Sequence, residues 1–140
     1  MKYFFAIITL LFLLSSQIFS QNSKSVKADK PEEFDNFIMH FMTDSLFQVS
    51  RVKFPCKKTF MDDNLEPGYT TIKKSNWKHQ VIYFVSDYRV QIYDNFEQKL
   101  EDTNERVISF IGVDSGINLN YYFQRIDNLW YLIHIEDIST

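Results

Sequence analysis

A single cysteine, Cys56, is the whole thiol content of the 140-residue chain, so no internal disulfide can staple the fold and packing alone must hold it. Cys56 follows Phe54 and Pro55 with no histidine near it in sequence, and it reads as a buried side chain rather than a reactive one. Histidine is nearly as scarce: His40, His79 and His134 show none of the spacings that set two imidazoles on one face, so no metal site is expected. The acidic run Asp62, Asp63, Asn64, Glu66 lacks the alternating ligands and the central glycine of a calcium loop and reads as a solvated turn. No cofactor motif is present, and none is expected to bind. An excess of positive charge is also missing, since the formal net charge is -3. That excludes nucleic acid and anionic membrane surfaces as partners, because both reward dense Lys and Arg.

Long apolar runs are limited to one. Phe4 to Leu14 is interrupted only by Thr9, follows Lys2, and gives way to the smaller and more polar Ser15 to Ser20. A positive start, a short apolar core and a polar exit make a secretory signal. The run is about half of the roughly twenty apolar residues a spanning helix needs. Cleavage after Ser20 is expected, although Ile18 departs from the small-residue rule at that site. No cysteine follows the run, so lipid attachment there is excluded, and the chain is expected to be exported to the periplasm or beyond the cell. Contact with a membrane is expected only through residues 1–20. The polar segment 21–30 leads into a single domain, 31–140, and the remaining length has no room for a second one.

What the chain does have is aromatic weight, with 14 Phe, 8 Tyr and 2 Trp. Such side chains bury large areas, so the core is expected to be aromatic. Pro31, Glu32 and Glu33 after Asp29 suit a helix start, and Phe34, Phe37, Ile38, Phe41 and Met42 recur at helical spacing, with His40 off the stripe. Thr43, Asp44 and Ser45 offer a cap for a second short helix ending near Gln48. Val49 to Phe54 reads as a strand halted by Pro55. Asp62 to Gly68 is a loop, and Thr70 to Lys74, Gln80 to Val85 and Arg89 to Tyr93 are further β-prone pieces. The polar stretch Asp94 to Asn104 carries a turn or a wide loop.

Three strands close the chain: Arg106 to Val113, Ile117 to Ile126 and Leu129 to Ile135. Asp114-Ser115-Gly116 and Asp127-Asn128 join them as tight turns, so they form an antiparallel meander. Ile117, Leu119, Tyr121 and Phe123 alternate with Asn118, Asn120, Tyr122 and Gln124, which assigns one face to the core and the other to wetter surroundings. Arg125 falls on the apolar side, either as a polar spot at the rim of the core or because the strand has already reached solvent. Trp130, Leu132 and His134 are expected on the opposite, wetter side, where their mixed stripe suits self-association.

The stretch from Phe37 to Pro55, FIMHFMTDSLFQVSRVKFP, and the ending from Phe123 to Thr140, FQRIDNLWYLIHIEDIST, resemble a family of exported bacterial proteins known as a domain of unknown function. That family in turn resembles the nuclear transport factor 2-like, or cystatin-like, cone. The resemblance implies an α+β fold with N-terminal helices packed in a curved antiparallel sheet, and it assigns no catalytic residue. Two functions remain open, because one fold hosts many activities. The first is an exported binding or interaction module. It has an aromatic-lined pocket between helix and sheet for an unknown small ligand or protein, or an outer sheet face that forms a homodimer. Arg51, Trp77, Tyr83, Arg125 and Tyr131, polar-tipped or charged groups among apolar neighbours, are its candidate binding residues. The second is an acid–base enzyme of isomerase or dehydratase type, with Asp87, Asp137 and Tyr83 as its candidates.

Overall fold

Helix α1 spans Phe34–Thr43 and puts Phe34, Phe37, Ile38 and Phe41 on its buried side. The stripe is as expected, but the helix begins at Phe34 rather than Pro31. Its N-cap is Glu33, which makes no side-chain cap bond, and not Asp29. Glu32 is held out of the helix by tertiary contacts: its N–H donates to the Asn128 carbonyl at 2.9 Å, and its carboxylate binds Arg51. Helix α2, Ser45–Ser50, follows at once, started by Asp44, whose carboxylate accepts the backbone N–H of Leu46 at 2.8 Å and of Phe47 at 3.0 Å. The computed structural model describes residues 28–82, 87–99 and 101–140; the leader 1–20, most of the segment after it and Tyr83 lie outside the described residues. No helix among the described residues is long and apolar enough to cross a membrane.

Six strands follow: β1 Val52–Met61, β2 Pro67–Ile72, β3 Tyr88–Tyr93, β4 Glu105–Gly112, β5 Asn118–Ile126 and β6 Leu129–Asp137. They form one sheet in the order β2-β1-β6-β5-β4-β3. The fold is therefore α+β, and the sheet is antiparallel except where β1 runs parallel to β6. Pro55 does not end β1, contrary to expectation. The ladder to β2 begins only at Cys56, and the ladder to β6 is irregular between Val52 and Lys57. Neither ladder asks Pro55 for the N–H it lacks, so the strand passes through. Of the expected strand at Gln80 to Val85, residues 80–82 are not extended into a ladder and the rest lies outside the described residues.

The two-residue turn Asp127–Asn128, both at positive φ, pairs Arg125 with Trp130 across the hairpin. Cross-strand partners share a face, so Trp130 stands beside Arg125 and Phe123. Trp130 and Leu132 are therefore buried core residues, not members of a wetter stripe. Only His134 reaches the outer face. The ladder shifts register between Tyr122 and Phe123, where Phe123 pairs with Leu132 but Tyr122 pairs with His134. Ile133 is the extra residue of a bulge, and one extra residue reverses the alternation after it.

The core thus lies between α1 and the inner sheet face. The Phe123 ring meets Phe34, Phe37 and Phe41 edge-on at 5.5, 5.6 and 5.4 Å between centroids. Ile108, Tyr121, Trp130, Leu132, Ile135 and Cys56 belong to the same cluster. Burying each such side chain contributes about 1.5–3 kcal/mol. Cys56 is fully buried, and desolvation pushes its thiol pKa up to about 11.

Candidate functional site

At one end of the inner face the aromatic core stops short of closing. There α1 meets β3, β4 and the β5–β6 hairpin around a recess of about 290 Å³, lined by Glu33, Phe34, Asp35, Ile92, Asp94, Asp102, Arg106, Arg125 and Trp130. Phe34 packs edge-on against Trp130 at 5.1 Å, and two guanidinium groups lie near the indole, Arg106 at 5.3 Å and Arg125 at 5.1 Å.

These two arginines are placed differently. Arg106 is spent on the protein: it donates to the carbonyls of Asp94, Thr103 and Glu105 and to the Asp102 carboxylate at 2.7 Å, with Asp94 a further 3.4 Å ion-pair partner. Its hydrogen bond and then its charge hold the Asp102 carboxyl below the usual range, and the Arg125 charge adds to the shift. Arg125 donates only Nε, to Asn104 Oδ1 at 2.8 Å, so its terminal amines have no hydrogen-bond partner among the described residues. An aromatic wall beneath an uncommitted guanidinium can orient an acceptor-bearing ligand.

Arg51 is placed otherwise than a ligand contact would be. Its guanidinium forks onto the Glu32 carboxylate at 2.8 and 2.9 Å and donates to the Trp130 carbonyl at 3.1 Å, while Glu32 also accepts from the Trp130 N–H at 2.9 Å. This ties the start of α1 to α2 and β6. Tyr131 carries Lys53 over its ring at 3.9 Å and Arg51 at 5.6 Å. Trp77 sits elsewhere, edge-on to Phe54, donating Nε1 to Gln48 Oε1 at 3.2 Å. Gln48, fully buried, also accepts from the Gln80 N–H and donates to the carbonyls of Phe41 and Gln80. The structure thus brings Arg51 and Tyr131 together, sets Arg125 in the recess, and leaves Trp77 apart; Tyr83 lies outside the described residues.

Of the carboxylates considered for acid–base work, Asp137 pairs with Lys58 at 3.8 Å and accepts from Ser139 at 2.8 Å, with its side chain 39% exposed. It is no carboxylate in an apolar pocket. Asp87 is exposed in the turn before β3, and its carbonyl accepts the Val113 N–H. Tyr121, a member of the core cluster, has its hydroxyl pKa raised to about 12, first by burial and then by the Asp137 charge. No group of three or more His, Cys, Asp or Glu among the described residues could hold a metal ion.

Reading the sequence missed Arg106 and Trp130 as recess residues. Both were within reach of the pattern: Arg106 shares parity with Ile108 and Phe110 on β4, and Trp130 pairs with Arg125 across a two-residue turn.

The opposite face of the sheet holds a second arrangement. Tyr122 and His134 stack at 4.9 Å and 21°, and Phe96, from the long β3–β4 connection, meets Tyr122 edge-on at 5.6 Å. His134 Nε2 is 2.9 Å from Thr59 Oγ1, and Glu136 accepts from the Tyr122 hydroxyl and from Asn120 Nδ2, each at 2.9 Å. Burial, then the bond and charge of Glu136, raises the Tyr122 pKa to about 12. Burial lowers the His134 pKa, with Glu136 opposing and Lys57 adding to the shift.

Solved structures share this architecture. An NTF2-like protein of Bacteroides fragilis aligns with 81% of this chain at 25% identity and a TM-score of 0.61, the match spanning 50% of that protein. A cystatin-like protein of Bacteroides caccae aligns with 78% of each chain at 22% identity and a TM-score of 0.52. A Bacteroides uniformis protein solved by NMR covers 77% of this chain and 78% of its own at 17% identity and a TM-score of 0.50. No curated protein matches the chain. Helices lying on a bent sheet in the nuclear transport factor 2-like and cystatin-like manner are what these relatives share with it. With a family model matching residues 14–139, the chain belongs to the domain of unknown function DUF4348.

Proposed function

We propose that the chain is an exported binding module, periplasmic or secreted and not lipid-anchored, that takes a small ligand into the recess between α1 and the sheet. The signal-like run Phe4 to Leu14 supports export, and the absence of a cysteine directly after it supports a chain without a lipid anchor. The observation that carries the binding reading is Arg125: its guanidinium stands at the Trp130 ring, at the mouth of the recess, with its terminal amines uncommitted. A small polar ligand with an acceptor group for Arg125 suits that recess, whose floor is closed by the buried Phe34 and Trp130 and whose open walls carry Asp35, Asp94 and Asp102. An acid–base enzyme is less well supported, because the carboxylates that line the recess, Glu33, Asp35, Asp94 and Asp102, are not buried ones.

A fragment screen followed by NMR on the ¹⁵N-labelled mature chain tests this reading. Fragments that shift Arg125 and Trp130 resonances, and lose affinity in Arg125→Gln, are the expected result. A screen in which no fragment perturbs the recess sinks the proposal. The mass of the protein recovered from the envelope or medium tests export, the expected chain starting at Gln21.

A further inference from the structure

The outer sheet face carries a second recess, of about 340 Å³, lined by Lys57, Phe96, Tyr122, Ile133 and His134. Outer faces of such sheets are ordinarily wet. The β3–β4 connection covers part of this one: Asn95 is buried, and Val107 is fully buried although it stands outside the inner core cluster. Phe96 is held in place by its N–H, which donates to Glu105 at 3.1 Å, and by Asn95 Oδ1, which accepts the Lys99 N–H. The bulge at Ile133 sets His134 on this face against Tyr122.

The walls are therefore apolar and aromatic, and the polar groups beneath them are occupied with one another. Tyr122 gives its hydroxyl to Glu136, and His134 Nε2 meets Thr59. Lys57 differs. It lies exposed at the rim, and among the described residues no carboxylate pairs with its ammonium. The neighbouring Lys58, by contrast, is matched to Asp137. A positive charge with no ion-pair partner among the described residues, beside a ring-walled hollow, selects for a flat apolar body with one negative group.

We propose that this outer recess is a second binding site, separate from the one between α1 and the sheet, and that it takes small aromatic carboxylates. The rings of Phe96, Tyr122 and His134 receive the aromatic body, and Lys57 receives the carboxylate. Because the charge contact is exposed, it sets selectivity more than strength, and it is screened by salt.

Calorimetry and NMR titration of the full mature chain with naphthoate, naphthalenemethanol and naphthylmethylamine test the assignment. Naphthoate is expected to bind tightest and to shift Phe96, Tyr122, Ile133 and His134. Lys57→Gln, an exposed change that leaves the fold intact, is expected to weaken naphthoate about two- to fivefold, an effect of the size found for exposed ion pairs. It should leave the alcohol unchanged, and high salt should reproduce its effect on the wild type. Ile133→Glu, placing negative charge in the hollow, is expected to remove naphthoate binding while the circular dichroism spectrum is retained. Equal affinities for acid and alcohol, shifts confined to Arg125 and Trp130, no binding at all, or a dimer in sedimentation that shields Tyr122 would each overturn the proposal.

Discussion

The two faces of the sheet both carry aromatic clusters, yet they are built on different terms. On the inner face, α1 lays Phe34, Phe37 and Phe41 against Phe123 and Trp130, and rings pack on rings with almost no exposed surface. On the outer face, one long connection supplies a single ring, Phe96, and the rest of the cover comes from hydrogen-bonded polar groups: Thr59 with His134, and Tyr122 and Asn120 with Glu136. Asn120 Oδ1 is buried there without a hydrogen-bond partner among the described residues. The inner cluster is a source of stability, since apolar burial is non-directional and additive in area. The outer cluster gains less from area and depends on geometry and protonation.

The sharpest test of that contrast is truncation on each side. Phe41→Ala, at a fully buried ring, is expected to cost about 3–5 kcal/mol in urea unfolding. Phe96→Ala, at a half-buried ring, is expected to cost about 1–2 kcal/mol. Comparable losses at the two positions would erase the distinction. The junction of α1 with the hairpin comes next. Arg51→Ala leaves the Glu32 carboxylate without its cation, both side chains being only 14% and 20% exposed, and is expected to cost about 2–3 kcal/mol. Adding Glu32→Gln to it should recover part of that loss, which a double-mutant cycle measures.

Mild acidification produces the smallest effect and acts on the outer face, through His134. His134 has a folded pKa below its ordinary value of 6.5, so the unfolded chain takes up the proton first. Stability at this residue is present above pH 6.5 and is lost as pH falls from there through the folded value. The thermal midpoint is expected to drop over that interval in the wild type and to drop less in His134→Gln. Asp62 and Asp102, whose carboxyls are held low by backbone N–H groups and by Arg106 respectively, lose their contribution only at more acid pH, below the ordinary carboxylate value of 3.8.

Much of the inner face was legible in the chain. The helical spacing of Phe34, Phe37, Ile38 and Phe41, the cap at Asp44, the Asp127–Asn128 turn and the burial of Cys56 all follow from local pattern and propensity. The outer face was not. His134 sits where it does because a bulge at Ile133 reverses the parity of β6, and an unbroken two-residue period carries no sign of that reversal. The candidate site divides in the same way. The apolar parity of Arg125 marked it, but its uncommitted amines depend on Asn104 meeting only Nε. Glu32, a good first-turn residue by local rules, is taken instead by Arg51 from beyond α2.

By itself the sequence determined the two helices, the closing meander and the aromatic character of the core, because spacing, capping and turn chemistry act over a few residues. Only the tertiary structure decided that β1 lies parallel beside β6, that Arg106 is consumed while Arg125 is not, and that a loop closes over the outer face. Each of those depends on groups far apart in the chain competing for the same hydrogen bonds and the same buried space.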